Sequence, residues 1–121
     1  MSVGNDSHDI LMVYCSTQDD TAVISVNFPE VIGGSLGTEI RYSFDNGSEV
    51  RGIWIGGGRT DAWGIRRMGV FDNFFRALRT SHSVRLSARR SQGGGRQEVA
   101  FTYDDPGPML EELNRRCRLG L

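Results

Sequence analysis

Apolar and polar residues alternate along most of this chain, and the period of the alternation changes at two places. Residues 10–15 form an apolar run in which Leu11, Val13 and Cys15 share one face of a strand. Ser16, Thr17, Gln18, Asp19 and Asp20 then read as a polar turn. Ala22, Ile24, Val26 and Phe28 alternate with Val23, Ser25 and Asn27, predicting a half-buried strand that Pro29 ends. Ile40, Tyr42 and Phe44 alternate with Glu39, Arg41 and Ser43. Asp45-Asn46-Gly47 follows as a hairpin turn whose glycine is expected to supply the positive φ. Val50 to Ile55 returns as its partner, and the exposed edge of this 38–55 hairpin admits a homodimer as well as a monomer.

Ala62 to Arg67 adds a short strand. The period then shifts to that of a helix: Phe71, Phe74, Phe75 and Leu78 fall on one face, predicting a helix over 71–80. Val84, Leu86 and Ala88 alternate with Arg85, Ser87 and Arg89, a strand with a basic outer face. Val99, Phe101 and Tyr103 point inward on the next. Asp104 and Asp105 before Pro106 and Pro108 open a last helix with Leu110, Leu113 and Cys117 inward. Its acids come early and Arg115, Arg116 and Arg118 late, which suits the helix dipole. The expectation is one α+β domain over 1–121, with residues 1–8 a flexible lead. It holds an antiparallel sheet of about six to seven strands with two short helices, in the order ββββ(β)αββα.

At 121 residues the chain is long enough for a single core. Its longest apolar stretch, Ile10 to Cys15, is far too short to span a bilayer. The opening MSVGNDSHDI has neither a basic n-region nor an apolar h-region, so a cytoplasmic location is expected. Cys15 and Cys117 either form one bridge closing a long loop or, in the cytosol, remain buried thiols.

Charge sharpens this picture. All fourteen basic residues are arginine, and they are sorted along the chain. Residues 1–50 carry eight acids against Arg41, a net charge of −7, whereas residues 51–103 carry ten arginines against three acids, a net of +7. Arg66, Arg67, Arg76, Arg79, Arg85, Arg89, Arg90 and Arg96 can pair with the chain's own acids across strands, grip a protein partner, or meet nucleic acid. A pI near 6.1 makes direct nucleic-acid contact the least favoured of the three. Trp54 and Trp63 flank the Gly56–Gly58 loop as a candidate stacking pair.

Catalytic signals do not hold up. Gly33-Gly34-Ser35-Leu36-Gly37 matches the nucleophile-elbow pattern, but it leads into a strand where the elbow needs a helix. The triple glycines at 56–58 and 93–95 precede neither a helix N-terminus nor a Gly-Lys-Ser/Thr, so they are loop tips. His82 suits a surface or capping role. No catalytic residue, metal set or cofactor site is expected.

The strand ending in Cys15, the β-strand after it, the aromatic hairpin around Phe44-Asp45-Asn46-Gly47 and Trp54, the helix 71–80, Phe101, and Cys117 within the last helix together resemble the VasI-type accessory domain of type VI secretion systems. That resemblance implies a periplasmic β-rich domain with a Cys15–Cys117 disulfide. The chain is also similar in kind to phage-type anti-CRISPR proteins, which are small, soluble and charged-faced. This second likeness implies steric blocking of a host nucleoprotein complex. The expected function is a non-enzymatic protein-binding module, with a cytoplasmic anti-CRISPR-like inhibitor as its sharpest form and the VasI-like periplasmic domain as the alternative. Asp19, Asp20, Asp45 and Glu49, near turns, and the outward Arg85, Arg89 and Arg90 are the expected partner contacts. The partner is a protein or nucleoprotein, with no membrane involved.

Overall fold

The computed structural model describes residues 1–16, 21–30, 32, 37–56, 61–65, 69–89 and 95–121. Its elements are β1 (Ser2–Gly4), β2 (Ile10–Ser16), β3 (Thr21–Asn27), β4 (Thr38–Phe44), β5 (Val50–Gly56), β6 (Asp61–Ile65), α1 (Val70–Arg79), β7 (Ser83–Arg89), β8 (Arg96–Thr102) and α2 (Gly107–Arg116). The strands form one antiparallel sheet in the order β1-β2-β3-β6-β5-β4-β7-β8.

The α+β class and the antiparallel sheet are as expected, but the sheet has eight strands rather than six to seven. The element order is ββββββαββα and not ββββ(β)αββα. The added strand is β1, where a flexible lead was expected. Val3 sits opposite Leu11, and the Met1 amine donates to Val13 O at 2.9 Å. Three residues are too few to show a period of two, so the alternation could not reveal it.

The 38–55 hairpin is interior to the sheet, with β7 beyond β4 and β6 beyond β5. The exposed edge that admitted a homodimer is therefore not an edge of the sheet. The outermost strands are β1 and β8, and they nearly meet. Asn5 Nδ2, just after β1, donates to Ala100 O on β8 at 3.1 Å, so the sheet curls almost into a barrel. At the β4–β5 turn the positive φ angles belong to Asp45 (51°) and Asn46 (60°), not to Gly47. Gly47 N closes the turn on Phe44 O at 2.8 Å. Two consecutive left-handed residues suit the right-handed twist of the flanking strands, and Asp and Asn tolerate that conformation.

The inner face wraps α1. This helix carries the chain from β6 to β7, and its Phe71, Phe74, Phe75 and Leu78 are all buried. Phe74 is the hub: the rings of Tyr42, Phe44 and Trp54 lie 5.0, 5.0 and 5.4 Å from it, all edge-on. Gly64 permits this packing, because a Cβ there would lie 3.1 Å from Val70 Cγ1 and 3.6 Å from the Trp54 ring. Trp54 is wholly buried and so offers no stacking surface.

α2 is attached differently. Leu110 is its one fully buried residue, while Leu113 and Cys117 are half-buried. It ends in a Schellman arrangement, with Leu119 N bonded to Asn114 O at 3.0 Å and Arg118 at φ 52° in the position usually held by glycine. A Cys15–Cys117 disulfide, with Cα atoms 6.3 Å apart, fixes it to β2. Arg79 adds bonds to Glu111 Oε1 (2.8 Å) and Leu121 O (2.9 Å). Among the described residues no helix is long and apolar enough to cross a membrane.

Candidate functional site

The outward positions of β4, β7 and β8 carry the sorted charge, and most of it is paired. Glu39 accepts Arg41 Nε at 2.8 Å and lies 3.8 Å from Arg96 NH1, while Glu49 reaches Arg41 at 4.0 Å. The Arg41 hydrogen bond holds the Glu39 carboxyl below its ordinary range. Arg96 also donates to Ser87 Oγ (3.1 Å) and Ser87 O (3.2 Å); burial lowers its pKa without discharging it. Arg85 pairs with Glu98 at 3.3 Å. Arg89 is exposed and has no ion pair among the described residues.

Of the expected partner contacts, Asp19, Asp20 and Arg90 lie outside the described residues, as do Ser35, Arg66 and Arg67. Asp45 is taken up by the fold. Its Oδ1 accepts the amides of His82 (2.8 Å) and Ser83 (2.9 Å) and the Ser83 hydroxyl (3.3 Å), and the His82 amide is the main reason its pKa is low. Glu49, in the turn before β5, and Arg85 and Arg89, both on β7, remain on the surface. The fold does not draw them into one unpaired patch.

The surface that does stand unpaired is apolar. Ile10, Met12 and Tyr14 point outward from β2 and are 42%, 38% and 43% exposed. Tyr14 leads into a groove of about 390 Å³ between β2 and α2, lined by Met1, Val13, Met109 and Leu113 and floored by the disulfide. Glu112 and Arg116 of α2 stand at the groove, and Met109 is 57% exposed. The signal for this surface was present in the sequence as the run Ile10 to Cys15. A strand apolar at every position must place apolar side chains on both faces.

Other polar sites are built into the framework. A cleft of about 560 Å³ lies between the β1–β2 turn and β8, lined in part by Asn5, Asp9, Glu98 and Thr102. Its buried Asp9 is held by Asn5, whose Oδ1 accepts Asp9 N at 2.9 Å and whose Nδ2 donates to Asp9 Oδ2 at 3.3 Å. Ser81 Oγ donates to Leu78 O and is bonded to the Tyr103 hydroxyl. Burial pushes the Tyr103 phenol up to about 12, so it is not a base near neutral pH. Among the described residues no three His, Cys, Asp or Glu side chains gather as a metal set.

The class defined here is a nearly closed antiparallel sheet wrapped on one helix, with a second helix bridged to β2 by a disulfide. The overall fold is similar to that in the crystal structure of invasion associated protein B from Bartonella henselae, at a TM-score of 0.59 and 14% identity over 97% of this chain and 82% of that one. At that identity the likeness is one of fold alone. No family model matches the chain, and no curated protein sequence does.

Proposed function

We propose that this chain is a non-enzymatic protein-binding module that works in an oxidising compartment and binds through its β2–α2 face. The observation behind this reading is the exposed apolar groove braced by the Cys15–Cys117 disulfide. An exposed apolar surface of this kind on a small domain marks an interaction site. The reducing cytosol rarely sustains a structural disulfide. The bridge therefore favours an accessory domain of the secretion-system kind over a cytoplasmic anti-CRISPR-like inhibitor. Direct nucleic-acid binding is less favoured still, because Arg41, Arg85 and Arg96 are met by the chain's own carboxylates.

The test is a photo-crosslinking residue placed at Tyr14, with one at Arg85 for comparison, in the cells that make the protein. A protein adduct from position 14 and oxidised cysteines are expected. Reduced thiols in vivo, or adducts from position 85 but none from position 14, would sink the reading.

A further inference from the structure

We infer that the β2–α2 groove seats an amphipathic helix of a partner protein whose apolar anchors are flanked by carboxylates. This rests on the protein-binding reading above and names the chemistry of the partner. The groove's volume of about 390 Å³ lies in the range of sites that enclose a few apolar groups. Its lining is adaptable: Met1 and Met109 are unbranched and mould to irregular shapes, and Tyr14 offers a rigid ring with a polar tip. Beyond the groove, the exposed apolar row of β2 runs on from Tyr14 through Met12 to Ile10. From Ile10 to Tyr14 the strand advances about 13 Å. That is about two and a half turns of an α-helix, enough for anchors at i, i+3 or i+4, and i+7.

Charge selects the kind of helix. Glu112 alone serves two guanidiniums, Arg115 at 2.6 Å and Arg116 at 3.1 Å, and these are 72% and 74% exposed. Arg118, one residue past the disulfide, is exposed and has no ion pair among the described residues. Glu111, the other acid of α2, is engaged by Arg79. Of the three arginines, Arg116 lines the groove with Glu112, whereas Arg115 and Arg118 stand beyond it at the same end of α2, so the end of the helix bordering the apolar floor carries three arginines against one available carboxylate. A helix bearing Asp or Glu beside its apolar stripe complements both. An anionic bilayer would match the charge, but it meets protruding side chains better than a recess walled by a helix.

The test uses the oxidised full chain and a fluorescent synthetic peptide of about 16 residues. The peptide carries Leu at i, i+3, i+4 and i+7 with Glu on the flanks; a Lys-for-Glu counterpart and phosphatidylglycerol vesicles are the comparisons. Saturable binding of the Glu peptide is expected, at least about tenfold tighter than the Lys peptide. Met109→Asp and Tyr14→Ser should each weaken it about tenfold, the size of one anchor contact. Joint Arg115→Glu and Arg116→Glu should reverse the charge preference, and Arg85→Glu should leave it unchanged. Circular dichroism checks that each variant is folded.

Equal binding of both peptides, binding of neither, or binding to vesicles alone would overturn the inference. Continued crosslinking from Tyr14 in cells would then leave the broader protein-binding reading standing. Loss of that crosslink overturns the reading itself.

Discussion

Asp45 holds the start of β7 in place through Ser83, whose amide it binds at 2.9 Å with the same oxygen that accepts the His82 amide at 2.8 Å. The hydrogen bond from the His82 amide, with that of Ser83, draws the Asp45 pKa below its ordinary value of 3.8. The native pKa is the lower one, so this contribution is fully present above about pH 4 and is lost as pH falls through the native value. Glu39 and Glu112 shift the same way, through hydrogen bonds from Arg41 and Arg115. Urea unfolding should therefore show midpoints that decline below about pH 4. Asp45→Asn should lower the midpoint at pH 7 and converge on the wild type in acid. A gap that stays constant down to pH 2 would show that the charge of Asp45 contributes nothing.

Arg118 adopts φ 52° at the end of α2, where its amide meets Arg115 O at 3.4 Å. A side chain in the left-handed region costs about 1 to 2 kcal/mol, partly offset in a glycine variant by the freedom glycine gains when unfolded. Arg118→Gly should stabilise the protein by about 0.5 to 1 kcal/mol, read as a higher urea midpoint with unchanged slope. The same change removes a cation from the exposed end of α2 beside the groove, so it should weaken binding of the Glu peptide. More stability with less binding is the pattern of a strained residue kept for function.

Much of the sheet was legible because its inner and outer positions differ in kind. Ile40, Tyr42 and Phe44 alternate with Glu39, Arg41 and Ser43, and the buried face follows directly, as does the stripe Phe71, Phe74, Phe75 and Leu78 of α1. β1 was hidden because it is short, and its stability comes from Leu11 and Met12 across the ladder. Asp45 looked like a free acid because its partners, the amides of His82 and Ser83, lie 37 and 38 residues away. Backbone donors leave no mark in a sequence. The apolar groove was half legible: the run from Ile10 to Cys15 holds the signal, but Met1 and Met109 join it only through the fold.

Tyr103 couples α1's end to β8 through its hydroxyl contact with Ser81. Burial raises its pKa from 10 to about 12, against a smaller lowering by the Ser81 bond. A raised pKa leaves this contribution intact below pH 10 and removes it as pH climbs toward 12, where the unfolded phenol ionises first. Absorbance titration near 295 nm should show a phenol that ionises late, near pH 12. Tyr103→Phe should remove that late step and flatten the fall in stability between pH 10 and 12. A late step that survives the substitution would assign it to Tyr42, whose pKa burial also raises.

The Cys15–Cys117 bridge closes a loop of 102 residues, for which the chain-entropy model gives about 4.7 kcal/mol of stabilisation. That figure assumes the native state is the same with and without the bond. Here α2 buries Leu110 alone, and its link to Arg79 runs through a largely exposed Glu111. A surface ion pair of this kind is worth about 1 kcal/mol or less. Cys117→Ser should therefore do two things. It should lower global stability by about 3 to 5 kcal/mol, and it should let α2 open by itself. Hydrogen exchange separates the two effects: amides of α2 should lose protection far more than those of β4 and β5, which carry the rings around Phe74. With α2 loose, the groove loses one wall, so binding of the Glu peptide should fall even where the sheet remains folded. Uniform loss of protection across α2 and the sheet would show that the helix is held by its own packing, with the bridge acting only on the unfolded chain.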